Sequence, residues 1–158
     1  MKALSVIALC IIVVGVVLFF TMAQKSKQGE ALGLISNALS PCPDKPNCVC
    51  SSDKSDVNHY IDPLPLVHED IANSLVILKE VIVEMNGTLQ AESDDYLAAT
   101  FTSAIFGFVD DLEIKIDSNQ NLIHFRSASR MGHSDMGVNK KRVELLKQLY
   151  QQKLKEHY

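Results

Sequence analysis

The sequence predicts an α+β fold: an antiparallel β-meander of about four strands, flanked by an N-terminal and a C-terminal helix and preceded by a transmembrane helix. Three observations carry this. The 21 residues from Ala3 to Ala23 hold no charge, and about 20 helical residues span a bilayer core. Residues 96–129 alternate apolar and polar side chains with the period of two that marks half-buried strands. On either side of that region, apolar residues recur at helical spacing.

Length and composition bound the reading. A chain of 158 residues fits one ordinary domain. With 15 Lys and Arg against 19 Asp and Glu, and no basic stripe interleaved with aromatics, nucleic acid is not an expected partner. The chain divides into residues 1–24 as a transmembrane anchor or signal, 25–40 as a linker, and 41–158 as a soluble domain. The apolar run exceeds the usual core of a signal peptide, and Thr21 and Ala23 offer only a weak cleavage site, so an uncleaved anchor is preferred over a cleaved signal. Leu9 before Cys10 does not suit a lipoprotein signal. In the linker, Leu32, Leu34, Ile35 and Leu39 form a short apolar patch that could lie on the domain or on the membrane.

Pro41, Pro43 and Pro46 exclude a helix or a central strand and predict an irregular loop. Cys42 and Cys48 enclose five residues, and a disulfide between them is expected outside the cytoplasm. Free thiols and a metal site are the alternatives, although one residue between Cys48 and Cys50 is poor spacing for zinc. No metal or cofactor is expected, and Cys50 is left as the odd thiol. Asn58 to Pro65 reads as extended chain.

Asp70 is placed to cap a helix with apolar residues at Ile71, Leu75, Leu78, Ile82 and Met85, widened by Val76, Ile77, Val81 and Val83, and Asn86-Gly87 stops it. Strands follow at 88–92 and 96–106, joined by Ser93-Asp94-Asp95. In the next strand Leu112, Ile114 and Ile116 share a face with Asp110, and Asp111, Glu113, Lys115 and Asp117 share the other. Ser118 to Asn121 turns the chain, and pairing 113–117 with 122–126 makes a hairpin. A last helix starts near Gly137 to Asn139, with Val143, Leu146, Leu149, Tyr150 and Leu154 on its apolar face. Lys140, Lys141, Lys147, Lys153 and Lys155 make a solvated face.

Several stretches resemble a known family. They are Cys42-Pro-x-x-Pro-Asn-Cys-Val-x-Ser, Ile61-x-Pro-Leu, Gly107-Phe-Val-Asp-Asp-Leu-Glu, and Arg126-Ser-Ala-Ser-Arg-x-Gly-x-Ser-Asp-x-Gly-Val-Asn-x-x-Arg142. Over residues 39–150 the chain is similar to the DUF1499 family, with Cys50 where that pattern leads one to expect Ser. The resemblance implies an envelope or organelle protein, often with a signal or anchor. It brings no catalytic residues to carry over.

The densest polar cluster supplies the candidate ligand-binding residues: Asp111, Glu113, Arg126, Ser127, Ser129, Arg130, Asp135, Asn139 and Arg142. Three roles compete for them. As a structural device, Arg130 and Arg142 would pair Asp110, Asp111 or Asp135 and pin the last helix, with Ser134 or Asp135 capping it. As a binding site, the arginines, serines and glycine turn would hold a small anionic ligand or a lipid head group. As a hydrolase-like or metal-assisted enzyme, the chain would use Asp110, Asp111, Glu113 and His133, although adjacent strand carboxylates face opposite ways. No recognisable catalytic motif is present. His59, His68 and His124 are expected to be surface or packing residues. The functional expectation is a membrane-anchored envelope module, tethered by its N-terminal helix, with its soluble domain extracytoplasmic.

Overall fold

The computed structural model describes residues 2–67 and 70–157, the side chains of Lys2 and His157 apart. His68 therefore lies outside the described residues. Helix α1 (Lys2–Lys27) leads into a two-residue hairpin, β1 (Leu34–Ile35) and β2 (Ala38–Leu39). After them come β3 (Cys48–Cys50), β4 (Leu64–Pro65) and helix α2 (Ile71–Glu84). The chain then forms β5 (Thr88–Ser93), β6 (Tyr96–Thr102), β7 (Val109–Asp117), β8 (Leu122–Ser129) and helix α3 (Val138–His157).

The α+β class holds, and the meander β5-β6-β7-β8 is as expected. The strand count is larger: the main sheet has six strands in the order β3-β8-β7-β6-β5, with β4 also paired to β8. Both extra strands come from stretches read as loop or extended chain. They are two and three residues long, too short to show a period, and become strands only by pairing with β8. The proline rule survives, because β3 starts after Pro46 and lies at the sheet edge. The register of the central hairpin is the predicted one, from Glu113 opposite Arg126 to Asp117 opposite Leu122.

Helices α2 and α3 cover one face of the sheet. Ile77, Leu78, Val81 and Ile82 meet Leu97, Leu112, Ile114, Ile123 and Phe125 in one core, closed by Val143, Leu146 and Tyr150. The Asp70 carboxylate accepts from the Asn73 amide at 2.9 Å and caps α2. Asn86 takes φ +63 to end it. Gly87 then passes so close that a Cβ would lie 2.7 Å from both Ile82 and Phe101. Val76 and Val83 are exposed rather than part of the apolar face. Strand β6 ends at Thr102, short of the expected 106. Gly107, at φ +69, donates its amide to the Ser103 carbonyl at 2.9 Å, and this turn leaves Ile105 81% exposed.

The other face of the sheet is covered over β7 and β8, while β5 stays exposed. Residues 25–40, expected as a linker, fold back over it. Helix α1 continues to Lys27, and Ala23 and Ser26 are buried at its end. Ser26 Oγ accepts the Val109 amide at 3.1 Å. The β1–β2 hairpin turns through Ser36 and Asn37, both at positive φ, and buries Leu39 and Ser40. Leu32 and Ile35 stay exposed. The apolar patch thus docks on the domain through Leu39, while its other side faces outward.

Cys42 and Cys48 form the expected disulfide, and Cys50 is buried as a free thiol. A bridge closing so short a loop is worth about 2 kcal/mol through the unfolded chain. Cys42→Ser with Cys48→Ser should therefore lower stability by about 2 kcal/mol in a urea titration without unfolding the domain. The wild-type denatured mass should fall two hydrogens short of the fully reduced chain.

Candidate functional site

The sheet's period of two divides the nine candidate residues between opposite faces. On the helix-covered face, Asp110 receives Arg142 Nη2 at 2.7 Å. Arg142 also donates to Ser127 Oγ at 3.1 Å and to Asn139 Oδ1. Its guanidinium carbon lies 4.7 Å from the Phe101 ring centroid, a stacking that stabilises a cation. Asn139 is fully buried. Its oxygen accepts from Ser127 Oγ at 2.6 Å, and its Nδ2 donates to the Asn47 carbonyl and Ser129 Oγ. Asp135 accepts the amides of Gly137 and Asn139 at 3.0 and 2.7 Å and so caps α3. Ser134 holds the preceding turn through the Met136 amide at 3.3 Å. Together these five candidates, with Asp110 and Ser134, tie α3 to β7, β8 and the Cys-Pro loop.

On the opposite face, Glu113 and Arg126 stand directly across from each other on β7 and β8. Arg126 Nη1 donates to Glu113 Oε2 at 2.8 Å, and their side chains are only 4% and 0% exposed. Glu113 Oε1 accepts from the Tyr96 hydroxyl at 2.9 Å and the Gly33 amide at 2.8 Å. Burial, followed by the charge of Glu113, pushes the Tyr96 hydroxyl well above its ordinary range and keeps it a donor. Arg130 grips Asp111 with two prongs, Nε at 2.9 Å and Nη2 at 2.7 Å. Its Nη1 donates to the Ser26 carbonyl at 3.0 Å. That carbonyl belongs to the last turn of α1, where four carbonyls lack helical partners. Arg142 pins the last helix, as one expectation held, but Arg130 pins the first.

A cleft of about 700 Å³ opens beside this second group. Its walls are the segment Lys27–Gly33 and the outer face of β5 and β6. Gln90, Ala91, Tyr96 and Thr100 form the floor, with Lys27, Glu30 and Arg130 around them. A bulge between Leu89 and Ala91 is what lets both Gln90 and Ala91 reach it. Gly29 passes over Arg130 so closely that a Cβ there would lie 3.1 Å from Arg130 Cδ. Sequence reasoning missed Lys27, Gln90 and Thr100, since none stands near the polar motifs in the chain. The one available signal was the outward alternation of Tyr96, Ala98 and Thr100 in β6.

The histidines lie elsewhere. His59 is buried between Asp56, at 2.8 Å, and the Lys45 carbonyl, at 3.0 Å, a packing role. His124 bonds Ser51 Oγ at 3.1 Å, and burial lowers its pKa. His133 is exposed. Lys147, expected in the solvated face of α3, instead donates to the Asp62 carbonyl and lies 5.4 Å over the Phe125 ring. Among the described residues, no three His, Cys, Asp or Glu side chains come together as metal ligands.

The architecture is that of an α+β domain built on one antiparallel sheet, joined without a break to an apolar helix long enough to cross a membrane. The family model described as "Protein of unknown function (DUF1499)" matches residues 38–149, and the chain belongs to that family. No curated protein and no solved structure shows significant similarity to the chain. The match takes in both arginine clusters and the floor of the cleft, and leaves out α1 and residues 28–37.

Proposed function

We propose that the chain is a single-pass, membrane-anchored binding or accessory module of the cell envelope, with its folded domain outside the cytoplasm. Its ligand is a small anion, of which a lipid head group is the favoured source. The observation that carries this reading is the cleft's position. It opens beside the segment that leaves the apolar helix, a segment that would meet the head groups when that helix spans a bilayer. A volume of about 700 Å³ is in the range of small-molecule sites. Lys27 would supply the charge for a phosphate or carboxylate, and the Thr100 hydroxyl, which accepts from Gln90 Nε2 at 3.2 Å, would donate a hydrogen bond. Retention of the helix is supported by its unbroken run through Ala23 to Lys27 and by the burial of Ser26 in the domain. The Cys42–Cys48 bridge supports an oxidising compartment.

The enzymatic alternative, a hydrolase-like or metal-assisted use of the strand carboxylates, has weaker support. Asp110, Asp111 and Glu113 are each already engaged by an arginine, and Asp110 faces away from the other two.

The reading is tested by native mass spectrometry of the full chain released from bilayers containing anionic phospholipid. Wild type should carry an added mass that is lost on denaturation. Ala91→Trp, which fills the exposed floor of the cleft, should retain at least about tenfold less, equivalent to about 1.4 kcal/mol. A phospholipid-sized addition identifies a head group, and a smaller one identifies a free anion. No addition, or equal retention by Ala91→Trp, contradicts the proposal.

A further inference from the structure

The turn between β6 and β7 carries Ala104-Ile105-Phe106-Gly107-Phe108, and its exposure is unusual for a loop. Ile105 is 81% and Phe106 49% exposed. These side chains are not scattered singly. The Phe106 and Phe108 rings pack edge-on against Phe19 of α1, with centroids 4.9 and 5.0 Å away. The turn therefore lies alongside the helix at the height of Phe19, and that height can be fixed.

The uncharged run from Ala3 to Ala23 has 21 residues, a helix of about 31 Å. A hydrocarbon core of about 30 Å uses all of it. No spare apolar turn exists to lift Phe19 clear of the bilayer. Phe19 precedes Lys25, the first charge after the run, by six residues, and so sits about 9 Å below it along the helix. Phe106 and its exposed neighbour Ile105 share that depth. The relation between helix and turn is also firm. Ala23 and Ser26 are buried against the domain, and Ser26 bonds the first residue of β7. Lys27 passes over the base of the turn, where a Cβ on Gly107 would lie 3.7 Å from its Nζ. Its ammonium then stands at the head groups while the apolar tip lies beneath them, the usual division at a membrane interface.

We infer that the β6–β7 turn is a second membrane contact. Ile105 and Phe106 insert among the acyl chains beside α1, and Lys27 engages the phosphates above. With the helix as the one contact, helix and domain could tilt together as a unit. Two contacts fix its tilt and press the mouth of the cleft to the bilayer. This rests on the reading of α1 as a retained anchor, and the test separates the two.

The chain has no Trp, so single Trp reporters need no background removed. Phe19→Trp, Ile105→Trp and Val57→Trp would each be introduced into the full chain and reconstituted in phosphatidylcholine bilayers brominated along the acyl chains. Val57, 83% exposed in the Cys-loop region, is the control. The expected result is that Trp at 19 and at 105 both lose most of their emission and shift to the blue, while Trp at 57 does neither. Quenching at 19 without quenching at 105 overturns the inserted turn and leaves the anchor standing. No quenching at 19 overturns the anchor and the inserted turn with it. Equal quenching at 57 and 105 also overturns the inference, because it shows general adsorption to the bilayer.

Discussion

Replacing Arg126 by Ala should destabilise the domain by about 3–5 kcal/mol, because it strands a buried carboxylate. Glu113 is fully buried, and among the described residues Arg126 is its only cationic partner within bonding distance. Its other oxygen is held by Tyr96 and Gly33, which cannot neutralise it. In a domain of this size the melting temperature should fall by about 10–20 °C. The ion pair itself is not the source of a large net gain, since desolvating both charges offsets their attraction. Arg126 Nε, buried without an acceptor among the described residues, adds to that cost. The double variant Glu113→Leu with Arg126→Met should thus recover most of what either single substitution loses. It would not recover all of it, because Tyr96 and Gly33 then lack an acceptor. A double-mutant cycle by urea denaturation should give a coupling of at least about 2 kcal/mol, and additive losses would contradict the account.

Arg130→Ala should act on a different part of the molecule. It removes the two-pronged grip on Asp111 and the bond to the Ser26 carbonyl together. The stranded Asp111 carboxylate, 8% exposed, puts the expected loss near 3 kcal/mol. The location of the loss is more informative than its size. The core between the helices and the sheet touches none of these atoms, so amides of β7 beyond Val109 and of β8 should stay protected from hydrogen exchange. Residues 26–33 and the Val109 amide should exchange faster. Arg130→Lys should restore only part of the protection, because an ammonium cannot reproduce the fork. Uniform loss of protection across the sheet would show that Arg130 supports the core instead of the helix attachment.

Most of the central sheet was legible because its signals are local. Leu112, Ile114 and Ile116 alternate with charges, Ser118 to Asn121 supplies a turn, and together they set the β7–β8 register. The cap at Asp70 and the stop at Asn86-Gly87 are local in the same way. What escaped depends on contacts far apart in the chain. Glu113 and Lys115 share the charged face of β7 in the sequence pattern, and both are buried. Burial becomes tolerable only because Arg126 and Asp95 are brought to them and residues 28–40 lie on top. The bond from Gly33 to Glu113 joins residues 80 positions apart, and no periodicity announces it. Alternation carried β6 on paper to Phe106, but the Ser103–Gly107 turn ends it at Thr102. The candidate site was legible as a set of residues but not as two sites. The period of two that separates Asp110 from Asp111 also separates Ser127 and Ser129 from Arg126, and applying it along β8 would have divided the cluster.

The domain is fastened to its apolar helix, and residues 28–40 are part of the fold. Hydrogen exchange of the full wild-type chain in phospholipid nanodiscs tests this attachment most directly, read at the Gly33 and Val109 amides. The structure gives these amides side-chain acceptors in Glu113 and Ser26, so both should exchange at least about a hundredfold more slowly than unstructured chain, with opening costing about 3 kcal/mol or more. Exchange of Gly33 at the unstructured rate, with β7 and β8 still protected, would mean a flexible tether and would contradict the account.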